Sequence, residues 1–125
     1  MNRILITGAA GYIGSMLCTK LLENKKNIVT AVDLLKYDKN SLSHLYKYKN
    51  FNFVCADIRK SDVIKKIIKN QDFIFPLAAL VGAPLCEKYK KNTIETNINS
   101  LKKLIKNLNK NKKIIYPTTN SGYGI

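Results

Sequence analysis

The stretch Thr7-Gly8-Ala9-Ala10-Gly11-Tyr12-Ile13-Gly14 places three glycines at GxxGxxG spacing, between a short apolar run and a segment of helical spacing. Such a turn suits an anionic ligand. Gly8 permits the tight turn, Gly11 lets backbone approach a pyrophosphate, and Gly14 lets helix and strand pack closely. The helix N-terminus behind the turn offers N–H groups and the positive end of its dipole to phosphates. Asp33, nineteen residues after Gly14, ends the next apolar run. A carboxylate there can hold the hydroxyls of an adenosine ribose. It also repels a 2′-phosphate, which favours NAD over NADP, although Lys36 close by moderates that preference. The competing reading of Asp33 is a turn cap at a strand end.

Positioning these groups requires a particular order of elements. Asn2–Thr7 reads as a strand. Tyr12–Glu23 reads as a helix with Ile13, Met16, Leu17, Lys20 and Leu21 near one face. Ile28–Asp33 is a second strand, Ser41–Tyr48 a short helix with Leu42, Leu45 and Tyr46 inward, and Phe51–Ala56 a third strand. Ser61 is the expected N-cap of a helix carrying Val63, Ile64, Ile67 and Ile68. Phe73–Ala79 is a fourth strand, and Pro84 opens a short turn or helix. Thr93–Asn109 is a helix with Ile94, Ile98, Leu101, Leu104, Ile105 and Leu108 on one stripe, and Lys113–Thr118 is the fifth strand. Apolar strands alternating with helices predict a parallel sheet covered on both faces. The fold class is therefore α/β, a Rossmann-type doubly wound sheet ordered 3-2-1-4-5. It forms one domain over residues 1–125 and stops before a sixth strand.

Several other functions are disfavoured. The 125 residues contain no apolar run of the ~18 needed to span a membrane, and the N-terminus lacks the features of a secretory signal. A cytoplasmic protein is expected. Cys18, Cys55 and Cys86 form no CxxC pair, so no metal site is expected. Cys18 in a helix and Cys55 in a buried strand read as inert. Cys86 has no histidine near it in sequence, and His44 has no partner motif. The net charge of +14 would suit nucleic acid, but twenty of the twenty-two basic residues are lysines scattered along the chain. Frequent Lys, Asn and Ile are what an AT-rich genome writes, whatever the protein does, and a nucleic-acid footprint would be a patch containing Arg.

Taken in order, these motifs resemble those of extended short-chain dehydrogenases/reductases, specifically the NAD-dependent epimerase/dehydratases acting on nucleotide sugars. TGAAGYIG is similar to that family's TGxxGxxG, and Asp33 matches its ribose-binding acid. Ala56-Asp57-Ile58-Arg59 resembles the turn after the third strand, which implies that the Asp57 side chain and the following N–H meet adenine. Asp57 as a simple turn cap is the alternative. Phe75-Pro76-Leu77-Ala78-Ala79 resembles a segment lining the cofactor, with Pro76 in place of the usual His. Asn97 in TNINSLKKL resembles the family's NVxGT motif, with Ser100 and Leu101 replacing its Gly and Thr. A solvated helix residue is the competing reading of Asn97. Tyr116–Gly124 resembles SSxxVYG, and alignment on Tyr123-Gly124 puts Thr119 at the catalytic Ser/Thr position.

The resemblance implies a cofactor set of Gly8, Gly11, Tyr12, Ile13, Gly14, Asp33, Asp57, Ile58, Leu77, Ala78, Ala79 and Asn97, with NAD as cofactor. It implies hydride exchange at a sugar carbon, assisted by a Tyr whose pKa is lowered by a Lys four residues later. No tyrosine of the 125 residues is followed by lysine at that position. The chain is therefore expected to bind NAD, to be inactive alone, and to act on a nucleotide sugar once a C-terminal part completes it. The fifth strand would then be an uncovered edge that favours a homo-oligomer or a partner chain. A non-catalytic dinucleotide-binding module is the second reading, and a basic nucleic-acid binder the third.

Overall fold

Ile4, Leu5 and Ile6 are all buried, yet they belong to two different apolar clusters. Successive strand residues point to opposite faces, so a wholly apolar strand needs cover on both sides. The computed structural model describes residues 1–119. It shows β1 (Asn2–Thr7), β2 (Asn27–Asp33), β3 (Phe51–Cys55), β4 (Phe73–Pro76) and β5 (Lys113–Ile114) in one parallel sheet of order β3-β2-β1-β4-β5. This is the topology expected from the sequence. Ile4 and Ile6 face α1 (Tyr12–Leu22) and the single turn Ser43–Leu45. Leu5, Val32 and Ile74 face α2 (Ser61–Ile68) and α5 (Ser100–Lys106). Between β4 and α5 lie α3 (Ala83–Lys88), α4 (Lys90–Thr93) and a wide π turn, Ile94–Asn99. Backbone angles stay helical from α4 through α5, so residues 90–106 form one rod.

Helix faces differ from the sequence expectation, for identifiable reasons. The buried residues of α1 are Gly14, Cys18 and Leu22, while Ile13 and Met16 are exposed. A Cβ at Gly14 would sit 2.4 Å from the Gly8 carbonyl oxygen and 2.7 Å from Ala9 Cα. That close approach fixes the rotation of α1 about its axis and turns the expected stripe to one side. In the rod, Ser100 and Leu104 point inward and Ile94, Ile98 and Ile105 outward. The apolar stripe there is wider than the face that α2 and the sheet can cover.

Other corrections concern extents. The expected helix over Ser41–Tyr48 is one 3-10 turn, and Tyr46 is exposed with its ring edge-on to Phe51 at 5.7 Å. Lys60, not Ser61, is the N-cap of α2, because its N–H closes a turn onto the Asp57 carbonyl. β4 ends at Pro76, which has no N–H to continue a ladder. β5 pairs over two residues, so the expected exposed edge is short. Cys55 is exposed because β3 is an edge strand. Cys18 is buried, and burial pushes its thiol up to about 12, which leaves it a packing group. His44 is exposed and pairs with Thr19 Oγ1 at 2.9 Å. Tyr123-Gly124 lies outside the described residues.

The two-layer packing has a direct test in urea unfolding. Ile74→Ala should lower stability by roughly 2–5 kcal/mol, because its neighbours on β1, β5 and α5 cannot all collapse into the void. Ile105→Ser should change it by less than about 0.5 kcal/mol.

Candidate functional site

β1 ends at Thr7, and the chain must at once reverse into α1. Gly8 does this with φ +68°, a conformation that L side chains rarely adopt. Its Cα also lies against the next wall, since a Cβ there would be 2.6 Å from Ala78 backbone. Gly11 is the N-cap of α1, and its missing side chain faces mostly open space, 3.3 Å from one carbonyl oxygen. No side chain caps α1 among the described residues. The N–H groups of its first turn therefore remain available at the positive end of the helix dipole.

The second wall is the end of β2. Asp33 accepts Ala10 N–H at 3.0 Å on one carboxylate oxygen and Leu35 N–H at 2.8 Å on the other. Those bonds tie the glycine turn to the β2 turn and hold the carboxylate fixed. Leu35 has φ +53°, a strained conformation for a leucine that costs about 1 kcal/mol. Its half-buried side chain packs against the α1-side core, and the reversal leads Lys36, Tyr37 and Asp38 along the cleft.

The third wall follows β3. Asp57 Oδ1 accepts Arg59 N–H at 3.0 Å and Nε at 2.9 Å, and Oδ2 accepts Nη2 at 2.6 Å. The Arg59 guanidinium holds the Asp57 carboxyl at about 2, below its ordinary 3.8. The N–H groups of Ala56 and Lys60 bond to Asp33 and Asp57 carbonyls, whereas Ile58 N–H has no partner among the described residues. The fourth wall is the segment after β4. Leu77 N–H bonds to the Thr7 carbonyl at 3.0 Å, and Ala78 N–H reaches the buried Thr7 hydroxyl at 3.4 Å. Leu80 is held on both sides by one side chain. Its N–H donates to Asn97 Oδ1, and its carbonyl accepts from Asn97 Nδ2, both at 2.8 Å.

Together these walls enclose a cleft of about 480 Å³ at the carboxyl ends of β1 to β4. Gly8, Gly11, Tyr12, Asp33, Asp57, Ile58 and Leu77 to Ala79 line it. Gly14 lies buried behind the turn, and Ile13 is exposed on α1. Asn97 stands behind the fourth wall, where its amide is committed to Leu80. It lines a neighbouring apolar cavity of about 100 Å³ that Pro76 and Tyr116 also border. Thr119 is exposed beyond β5 and is not among the residues lining the cleft. No cluster of metal-ligating side chains occurs among the described residues. Sequence reasoning assigned no role to Arg59, two positions after an acid, or to Thr7, the last residue of β1. Their positions offered a signal. Lys103, which bonds the Arg59 carbonyl at 2.9 Å from forty-four residues away, offered none.

The Asp57–Arg59 pair has a pH signature. A carboxylate whose folded pKa is depressed adds stability above its ordinary pKa and loses it as pH falls through the folded value. The native chain should exceed Arg59→Leu by roughly 1 kcal/mol at pH 7, allowing for partial exposure of the pair. That gap should narrow as pH falls from 3.8 towards 2. A gap in urea stability that is constant from pH 7 to pH 3 would contradict the pairing.

Residues 4–125 match the NAD dependent epimerase/dehydratase family. A UDP-N-acetyl-alpha-D-glucosaminuronate decarboxylase of Bacillus cytotoxicus is 31% identical over 124 residues, covering 98% of this chain and 38% of that protein. A dTDP-D-glucose 4,6-dehydratase of Dictyostelium discoideum is 35% identical over 133 residues, covering 99% and 30%. Among solved structures, the UDP-glucuronic acid 4-epimerase of Bacillus cereus, in complex with UDP-glucuronic acid and NAD, is similar with a TM-score of 0.87 at 30% identity. That likeness covers 98% of this chain and 41% of the epimerase. The chain spans well under half the length of the curated relatives it matches. The family match over nearly every residue, on a sheet whose strand ends form this cleft, establishes that the chain belongs to the NAD dependent epimerase/dehydratase family.

Proposed function

We propose that this chain supplies the NAD-binding part of a nucleotide-sugar epimerase or dehydratase. The observation that carries the reading is the meeting of an uncapped helix N-terminus, at a glycine with room before it, and a fixed carboxylate in one cleft. Phosphates take the N–H groups of the first turn of α1, after Gly11. Asp33 still has a lone pair on each oxygen beyond those used by Ala10 and Leu35, and these accept from the two ribose hydroxyls. Asp57 and Ile58 N–H form the adenine edge, and Leu77, Ala78 and Ala79 form an apolar wall along the dinucleotide. Tyr12 covers the pyrophosphate turn from the solvent side.

When bound, NAD supplies a hydride acceptor at the sugar carbon and can return the hydride. The residues here bind and orient it, and by the alignment on Tyr123-Gly124 Thr119 takes the role of the hydroxyl that shares a proton with the sugar. No tyrosine in this sequence has the lysine that would make it a base. The 125 residues alone therefore bind NAD without turning over sugar.

Calorimetric titration tests this. The chain should bind NAD saturably and NADP at least about tenfold more weakly, since Asp33 opposes a 2′-phosphate. Gly11→Trp should abolish binding by filling the space before the helix N-terminus. Survival of NAD binding in Gly11→Trp would place the cofactor elsewhere and sink the reading. A basic nucleic-acid binder would instead retard DNA or RNA at low salt and lose it steeply as salt rises.

A further inference from the structure

Two walls of the cleft are held by one element that does not itself line most of it. The rod 90–106 grips the β4 wall through Asn97, whose amide bonds both backbone groups of Leu80. Six residues further along, Lys103 Nζ donates to the Arg59 carbonyl at 2.9 Å. Glu95, 3.7 Å from the same ammonium and braced at 2.6 Å by Asn99 Nδ2, steadies that side chain from within the rod. Arg59 in turn places four N–H contacts on the Asp57 carboxylate.

We propose that Lys103 is a positioning residue of the nucleotide cleft, holding the Arg59 backbone so that the Asp57 carboxylate and Ile58 N–H keep the spacing that reads an adenine edge. The inference rests on the NAD-binding reading and extends it to a residue outside the cleft. The turn 56–60 is otherwise held by Ala56 and Ile58 packing on the α2-side core and by Arg59 Nη1, which reaches Asn92 Oδ1 at 3.5 Å. It runs directly into α2 from an edge strand, β3, which pairs on one side with β2. Its backbone N–H bonds close inside the turn or onto the Asp33 carbonyl. Of the two side-chain ties between this turn and the rod, Lys103 to the Arg59 carbonyl at 2.9 Å is the shorter and the one that holds backbone.

The test uses the whole chain and three ligands, NAD, AMP and nicotinamide mononucleotide, with amide hydrogen exchange as an independent readout. Lys103→Met keeps the stem and removes the donor. It should weaken NAD and AMP by about fivefold, the effect of one lost hydrogen bond, and leave nicotinamide mononucleotide unchanged. Lys103→Arg, which retains a donor, should restore NAD and AMP. Without any ligand, the Arg59 and Lys60 amides should exchange faster in Lys103→Met. Equal weakening of all three ligands would mean general destabilisation and overturn the proposal. Unchanged amide exchange at Arg59 and Lys60 would overturn it whatever the nucleotides do. Failure of the native chain to bind any of the three would overturn the nucleotide reading and this one with it.

Discussion

Everything in the site follows from how closely α1 approaches the end of β1. A side chain at Gly14 would collide with the Gly8 carbonyl and with Ala9, so only glycine lets the helix begin there. Because it begins there, its unbonded N–H groups lie at the sheet's carboxyl edge and its rotation about the axis is set. Because that rotation is set, Cys18 and Leu22 face β1 and β2, and Ile13 and Met16 do not. The core on that side is thus shaped by the ligand turn rather than by the widest apolar stripe.

The cleft is a set of short turns, each tied to its neighbour by polar bonds. Asp33 joins the glycine turn to the β2 turn. The Asp33 carbonyl takes the first N–H after β3, and Thr7 takes two N–H groups after β4. These are parallel-strand ends, where the next strand is reached only after a crossover, so adjacent turns have no hairpin to fix them together. Strand-end carbonyls and side chains do it instead. The rod 90–106 completes the frame from the far side, and its π turn belongs to a class of irregularity that concentrates at functional sites. Such a frame can hold a polar ligand with little reorganisation, which is where specific binding gains most.

Much of this was legible in the sequence. Glycine spacing, Asp33 and the alternation of apolar strands with helices gave the topology, because each depends on local chemistry that one segment carries by itself. The faces of α1 and of the rod were misread because periodicity reports how apolar a face is, not what stands opposite it. Gly14 held the correction for α1 in plain view. The extents of β4 and β5 were overread, since an apolar run continues past the point where Pro76 or the lack of a partner ends the ladder. Asn97 was read as a cofactor residue, whereas the structure commits its amide to the Leu80 backbone, a contact across seventeen residues. Arg59 carried a readable signal in its place two residues after Asp57, whereas Lys103 gains its meaning from a contact in space that spacing along the chain does not reveal.

The most direct measurement is an amide correlation spectrum of the 125-residue chain during titration with NAD. The cleft described here requires shifts concentrated at Gly8 to Gly14, Asp33, Asp57, Ile58 and Leu77 to Ala79, with Leu80 following through Asn97. Shifts spread over the lysine-rich surface, or centred on the apolar cavity behind Pro76 while the glycine turn stays unmoved, would contradict it.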